Sequence, residues 1–146
     1  MSRTDASGAA RGRSGARELI MKLLFQMEAQ NDYTLDIETV FFNEKPKGKS
    51  QEEYLKQMCA LICGHLPEAD GLIESCSDNW KKGRMCKVDL AMIRAAVLEI
   101  MYMENIPESV SVNEAVEIVK KYGTEDSGKF VNGVLGKVVK IKNANE

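Results

Sequence analysis

Apolar positions recur at helical spacing along almost the whole chain. Ala16, Leu19, Ile20, Leu23, Leu24 and Met27 share one face of a first helix, which Asn31-Asp32 ends. Thr34 to Phe42 reads as a short second helix, followed by a charged loop from Glu44 to Lys49. Ser50 and Glu53 have the spacing of a capping box and open a third helix, with Tyr54, Leu55, Met58, Leu61 and Ile62 on one side. Pro67 suits the first turn of a short fourth helix carrying Leu72, Ile73 and Cys76. Asn79 to Arg84 is the best internal boundary. Val88 to Tyr102 is apolar almost all round, the pattern of a helix at the centre of a bundle. Asp89, Arg94 and Glu99 interrupt it at five-residue steps. At roughly 100° per residue they do not line up as one solvated stripe. At least one of them needs a partner, in the fold or on another protein.

The last third predicts two more helices. Ser111 and Glu114 repeat the capping-box spacing, and Val112, Ala115, Val116 and Val119 follow. Gly123 can take the left-handed conformation that stops a helix, and Thr124 can cap the next. Glu125 and Asp126 would sit on the positive end of that helix's dipole. Phe130, Val131, Val134, Leu135 and Val138 continue the stripe. No alternating strand pattern appears. The expectation is an all-α protein of about seven helices in two halves, near 16–80 and 85–142.

The chain has 146 residues, 44% hydrophobic and 29% charged, which suits one globular domain able to bury a core. No run approaches the roughly 18 apolar residues of a membrane span, and the polar start lacks an export signal core. Cytoplasmic residence is expected. Net charge is −2, so the whole molecule is no generic polyanion binder. Charge is unevenly placed. Residues 1–17 carry Arg3, Arg11, Arg13 and Arg17 against Asp5, a net of 4 − 1 = +3, which leaves −5 for the rest. With Gly8, Gly12, Gly15 and three serines, residues 1–15 read as a flexible arginine-bearing arm on an acidic body, 16–146.

Lys47-Gly48-Lys49-Ser50 lacks the upstream glycine and the preceding strand of a phosphate-binding loop. Cys59, Cys63, His65, Cys76 and Cys86 do not follow paired zinc-ligand spacing, so the cysteines are expected to be buried thiols rather than a metal site. His65 is the one histidine, and no neighbouring carboxylate in sequence orients it. We expect no catalytic residues, no metal and no cofactor. Asp126, Ser127, Lys129 and Phe130 are more suggestive. A cation, an aromatic ring and a helix N-terminus suit a phosphate and a stacked base. Phe130 also lies on the apolar stripe, where plain core packing accounts for it.

Ser111-Val-Asn-Glu-Ala-Val-Glu-Ile-Val-Lys120, then Tyr122-Gly-Thr-Glu-Asp-Ser-Gly-Lys-Phe-Val-Asn-Gly-Val-Leu135, resembles the C-terminal signature of the NusB family of bacterial transcription antitermination factors. Lys87 to Arg94 with Leu98-Glu99 is similar to the family's central helix, Asn105-Ile-Pro107 to its following turn, and Ala16-Arg17-Glu18 to its first helix. The likeness spans about 16–140 and is weakest over 31–75. It implies two small helical subdomains packed along a shared core. It also implies binding of boxA-type RNA in ribosomal RNA leader transcripts, together with NusE, a small-subunit ribosomal protein. That complex joins elongating RNA polymerase with other Nus factors and suppresses termination. Carried over by position, RNA contact falls to Arg13, Arg17, Phe25, Asp126, Ser127, Lys129 and Phe130. Asp89 matches an acidic position at the NusE contact, and Arg94 and Glu99 match residues of the same helix.

The chain departs from the family where a dense arginine run precedes Ala16-Arg17: here stand Arg13, Ser14 and Gly15. Fewer phosphates neutralised implies weaker, less salt-sensitive RNA binding. An aromatic residue often found two positions beyond that of Phe25 is Met27 here. Two other readings fit the same residues. One is a protein–protein scaffold whose acidic body takes a basic partner. The other is a NusB-like helper domain of an RNA-modifying enzyme, which the lack of a Rossmann-like glycine motif before Glu146 disfavours.

Overall fold

The structure is a computed structural model that describes residues 2–33, 49–77, 85–123 and 125–145, with side chains from residue 12 onward except those of 49, 50 and 125. Among the described residues there are five helices and no strand: α1 (Ser2–Gln30), α2 (Lys49–Cys76), α3 (Lys87–Tyr102), α4 (Glu108–Tyr122) and α5 (Glu125–Ala144). Five replaces the expected seven for two reasons. The expected helix over Thr34 to Phe42 lies outside the described residues, as do the boundary at Asn79 to Arg84 and the cap at Thr124. The expected third and fourth helices are one.

That fusion shows tertiary burial overriding local signals. Pro67 lacks the N–H that an interior turn uses, so it predicts a break. Yet Tyr54, Leu55, Met58, Ile62, Leu66, Ala69, Ile73 and Cys76 are all buried, and the stripe passes Pro67 without losing phase. Pro67 itself faces solvent. Its cost falls on the outer side of the helix, while the inner side stays anchored.

α1 ends as its sequence predicts. Asn31 takes a positive φ of 50°, and the Asp32 N–H donates to the Met27 carbonyl at 3.0 Å, closing the last turn. Its start differs. The backbone is helical from Ser2 through the stretch read as flexible. α4 begins at Glu108, behind Pro107, so Ser111 is not a cap. Gly123 has φ −132° and ψ −147°, not the left-handed region. Glycine is required there for space: an added Cβ would stand 2.7 Å from Ser127 Oγ and 3.3 Å from the Val119 carbonyl.

α3 is central and packs on α1, α2, α4 and α5. Every residue from Asp89 to Ile100 is buried. One continuous hydrophobic cluster joins residues of all five helices, so both halves of the chain close on the same core.

Candidate nucleic-acid interface

α1 runs alongside α4, and their polar contacts fix the register. Ser14 Oγ donates to Glu114 at 2.8 and 2.9 Å. Lys121 Nζ donates to Glu18 at 2.9 Å, which holds the lysine above its ordinary pKa. Lys22 Nζ stands 5.9 Å from the centre of the Tyr122 ring, within cation–π range. Contacts 14–114, 18–121 and 22–122 advance together, so the two helices are parallel here. Phe25, one turn beyond Lys22 on the same face, is 38% exposed, and Tyr122 is 44% exposed.

Where α4 ends, α5 begins. Asp126 and Lys129 are exposed on its first turns, and Ser127 and Phe130 are half-buried. Phe130 packs on the core by one side. By the other it lines a shallow cleft with Lys129, Gly133, Lys137 and the end of α2. Core packing therefore accounts for one side of Phe130, and the other side borders the cleft. The ridge formed by Lys22, Phe25 and Tyr122 combines a cation with aromatic faces, the pairing that single-stranded polynucleotides require. Lys22 and Tyr122 escaped the sequence reading. Their signal was present, since Lys22 precedes Phe25 by three and Tyr122 opens the Tyr-Gly motif.

Asp89, Arg94 and Glu99 of α3 lie inside the fold. Glu99 is 1% exposed and accepts from Arg17 Nε at 2.9 Å, Arg17 Nη2 at 2.9 Å, the Tyr54 hydroxyl at 2.5 Å and Ser111 Oγ at 3.1 Å. Burial alone would lower the Arg17 pKa, but the bonds and charge of Glu99 outweigh it and hold it raised. Burial, and then Glu99, push the Tyr54 hydroxyl well above its ordinary value. Arg94 is 1% exposed and donates to both Asp70 oxygens, at 2.8 and 2.9 Å, and to Glu28 at 3.1 Å.

Two expectations change as a result. Arg17 is placed as a core residue rather than a free arm cation: a guanidinium sealed against Glu99 has no donor turned to a ligand. Arg94 and Glu99 are likewise occupied within the protein. Asp89 differs. It is 6% exposed, its hydrogen bond goes to Ser127 of the candidate RNA set, and its Oδ1 is buried without a partner. Burial holds its carboxyl above the ordinary range, and Ser127 only partly offsets this. Arg13 is half-buried and has a buried Nε with no hydrogen-bond partner.

The thiols and the histidine also depart from expectation. Cys76 is buried and Cys59 half-buried, but Cys63 and Cys86 are exposed. His65 has an orienting carboxylate after all, because Glu68 lies 2.9 Å from its Nδ1 on the next turn. The ring stacks on Tyr102 with centroids 4.2 Å apart. The Glu68 bond lifts the Tyr102 hydroxyl to about 12. Among the described residues no group of His, Cys, Asp and Glu is placed to hold a metal, and no helix is long and apolar enough to cross a membrane.

The fold and ridge define a class: an all-helical protein around a buried, ion-paired central helix, with a cationic and aromatic edge. Comparison with known proteins is specific. The NusB family model matches residues 14–140. The transcription antitermination protein NusB of Agathobacter rectalis is 46% identical over 127 residues, covering 86% of this chain and 97% of that protein. That of Acetivibrio thermocellus is 40% identical over 131 residues, covering 90% of each. Among solved structures, T. maritima NusB superposes with a TM-score of 0.77 at 34% identity, covering 88% of this chain and 90% of that one. A structure of the antitermination factors NusB and NusE in complex with double-stranded RNA superposes with a TM-score of 0.78 at 28% identity, covering 90% and 98%. The chain belongs to the NusB family.

Proposed function

We propose that this protein is a non-catalytic, cytoplasmic RNA-binding antitermination factor. It recognises boxA-type RNA of ribosomal RNA leader transcripts together with NusE, within the elongating polymerase complex and its other Nus factors. The observation that carries the reading is the ridge. Lys22, Phe25 and Tyr122 offer a cation and aromatic faces along one edge, and a family relative has been solved with NusE and double-stranded RNA. Asp89 matches an acidic position at the family's NusE contact, and its buried Oδ1 lacks a donor among the described residues, which is consistent with a site that shifts to take one. RNA contact rests on Arg13, Phe25, Asp126, Ser127, Lys129 and Phe130, and Arg17 acts through the fold.

The test is titration of a boxA-type RNA oligonucleotide with this protein, with NusE, and with both. Both together should bind more tightly than either alone. Asp89→Lys should weaken NusE binding by about 2–5 kcal/mol, as for charge reversal at a partly buried contact. A scaffold predicts NusE binding with no gain in RNA affinity, and that result would remove the RNA-binding reading.

A further inference from the structure

Arg13 stands between two residues that are gripped from opposite sides. The Gly12 carbonyl accepts from Gln51 Nε2 of α2 at 2.9 Å. Gln51 is 5% exposed. Ser14 Oγ is held by both oxygens of Glu114 on α4, at 2.9 and 2.8 Å. Glu114 is itself 3.5 Å from Arg17, which anchors it to the buried network. Gly15 leaves room for this arrangement, since a Cβ there would stand 3.3 Å from Gln51 Nε2.

Local sequence does not explain why residues 12–15 are helical. Gly-Arg-Ser-Gly has low helix propensity, and a helical stretch of this kind owes its stability to tertiary packing. The two clamps supply that support, and they fix the backbone on both sides of one arginine. No ion pair involves Arg13 among the described residues, and its Nε is buried without an acceptor. With Nε buried, the Nη end of the guanidinium, which no hydrogen bond among the described residues occupies, is the part left to meet a phosphate oxygen.

We infer that Gln51, Ser14 and Glu114 are positioning residues that present Arg13 to an RNA phosphate. This rests on the RNA-binding reading above and goes beyond it. The arm's contact is pre-organised by α2 and α4 rather than made by a free tail. A chain with a sparse arginine run gains from this, because a held side chain loses less freedom on binding.

The experiment is fluorescence anisotropy of a boxA-type RNA oligonucleotide with the full-length protein at several salt concentrations. Arg13→Ala should weaken binding and lower the salt slope by about one unit, the change expected when one phosphate is no longer neutralised. Ser14→Ala and Gln51→Ala should each weaken binding several-fold with little change in melting temperature, and Ser14→Thr should restore affinity by keeping the hydroxyl. Each clamp variant combined with Arg13→Ala should bind no more weakly than Arg13→Ala alone, because both act through the same arginine. Additive losses, or clamp variants that bind like wild type while Arg13→Ala does not, overturn the inference. If Arg13→Ala binds normally while Phe130→Ala weakens binding, the inference fails and the RNA reading stands. If wild type does not bind the RNA, both fail.

Discussion

Glu99 and Asp89 are two buried carboxylates on the same central helix, and they meet opposite surroundings. Glu99 takes four donors from three other helices: two from Arg17, one from Tyr54 and one from Ser111. Asp89 takes one hydroxyl, from Ser127, and leaves Oδ1 empty. A buried charge is tolerated when paired and fully hydrogen-bonded, and costs stability when it is not. Glu99 therefore belongs to the fold. Asp89 is the buried carboxylate whose second oxygen the described residues leave without a donor. The difference separates two residues that the sequence, by spacing alone, offered as equals.

The largest expected effect tests the sealed end. Glu99→Gln leaves the buried Arg17 guanidinium with only the more distant Glu114, at 3.5 Å, as counter-charge. We expect a loss of about 3–5 kcal/mol, the cost of breaking a buried pair from one side, read from urea denaturation. Replacing both partners with apolar residues, Arg17→Met with Glu99→Leu, should cost much less than the sum of the single variants. A single-variant loss within surface-mutation range would mean that the network is not structural.

The open end should respond with the opposite sign. Burial raises the Asp89 carboxyl above its ordinary value, so the native state holds that proton more tightly than the unfolded chain. Its favourable contribution is present below the unfolded pKa and is lost as pH rises through the raised folded value. At neutral pH the ionised group is a liability. Asp89→Asn keeps an acceptor for Ser127 and removes the charge. It should raise the melting temperature at neutral pH, by at most about 1 kcal/mol in stability, and the gain should close as pH falls through the acidic range. A thermal-shift series across pH reads this directly. A lower melting temperature at neutral pH would show that Asp89 already has its partner within the fold.

This contrast also marks how far the sequence could be read. Helical class, the buried character of α3 and the Asn31 stop followed from periodicity and cap chemistry. The C-terminal string carried the family. What failed was decided by partners far away in the chain. Ser111 looks like a cap because Glu114 follows by three, but Glu99 claims its hydroxyl and Ser14 claims Glu114. Arg17 looks like an arm cation because arginines precede it, but its partner lies 82 residues on. Pro67 looks like a start because nothing local shows the stripe crossing it. The candidate residues on α5 were chosen by type: a cation, an aromatic ring and a helix start. That Arg17 is sealed in the core while Arg13 forms no ion pair among the described residues was not legible, because Arg17's partner, Glu99, is distant in sequence.

Asp126 completes the series as an acidic residue on the turn that Asp89 holds through Ser127, this time exposed. Being exposed, it carries no burial cost, and its position one residue into α5 favours a negative charge through the helix dipole. The same position repels a phosphate drawn to that helix N-terminus. The two effects oppose, and magnitude decides between them. Loss of a surface dipole interaction costs about 0.3–1 kcal/mol of stability, while removal of a negative charge beside the RNA path relieves repulsion that water and salt screen. Asp126→Asn should therefore lower stability slightly and tighten RNA binding. The tightening should stay below about tenfold and fade as salt rises past about 0.15 M, where the screening length is roughly 8 Å. Anisotropy titrations at low and physiological salt measure it. Weaker RNA binding by the folded variant would mean that Asp126 contacts the RNA as a hydrogen-bond acceptor instead of flanking it, and would move the nucleic-acid path onto the first turn of α5.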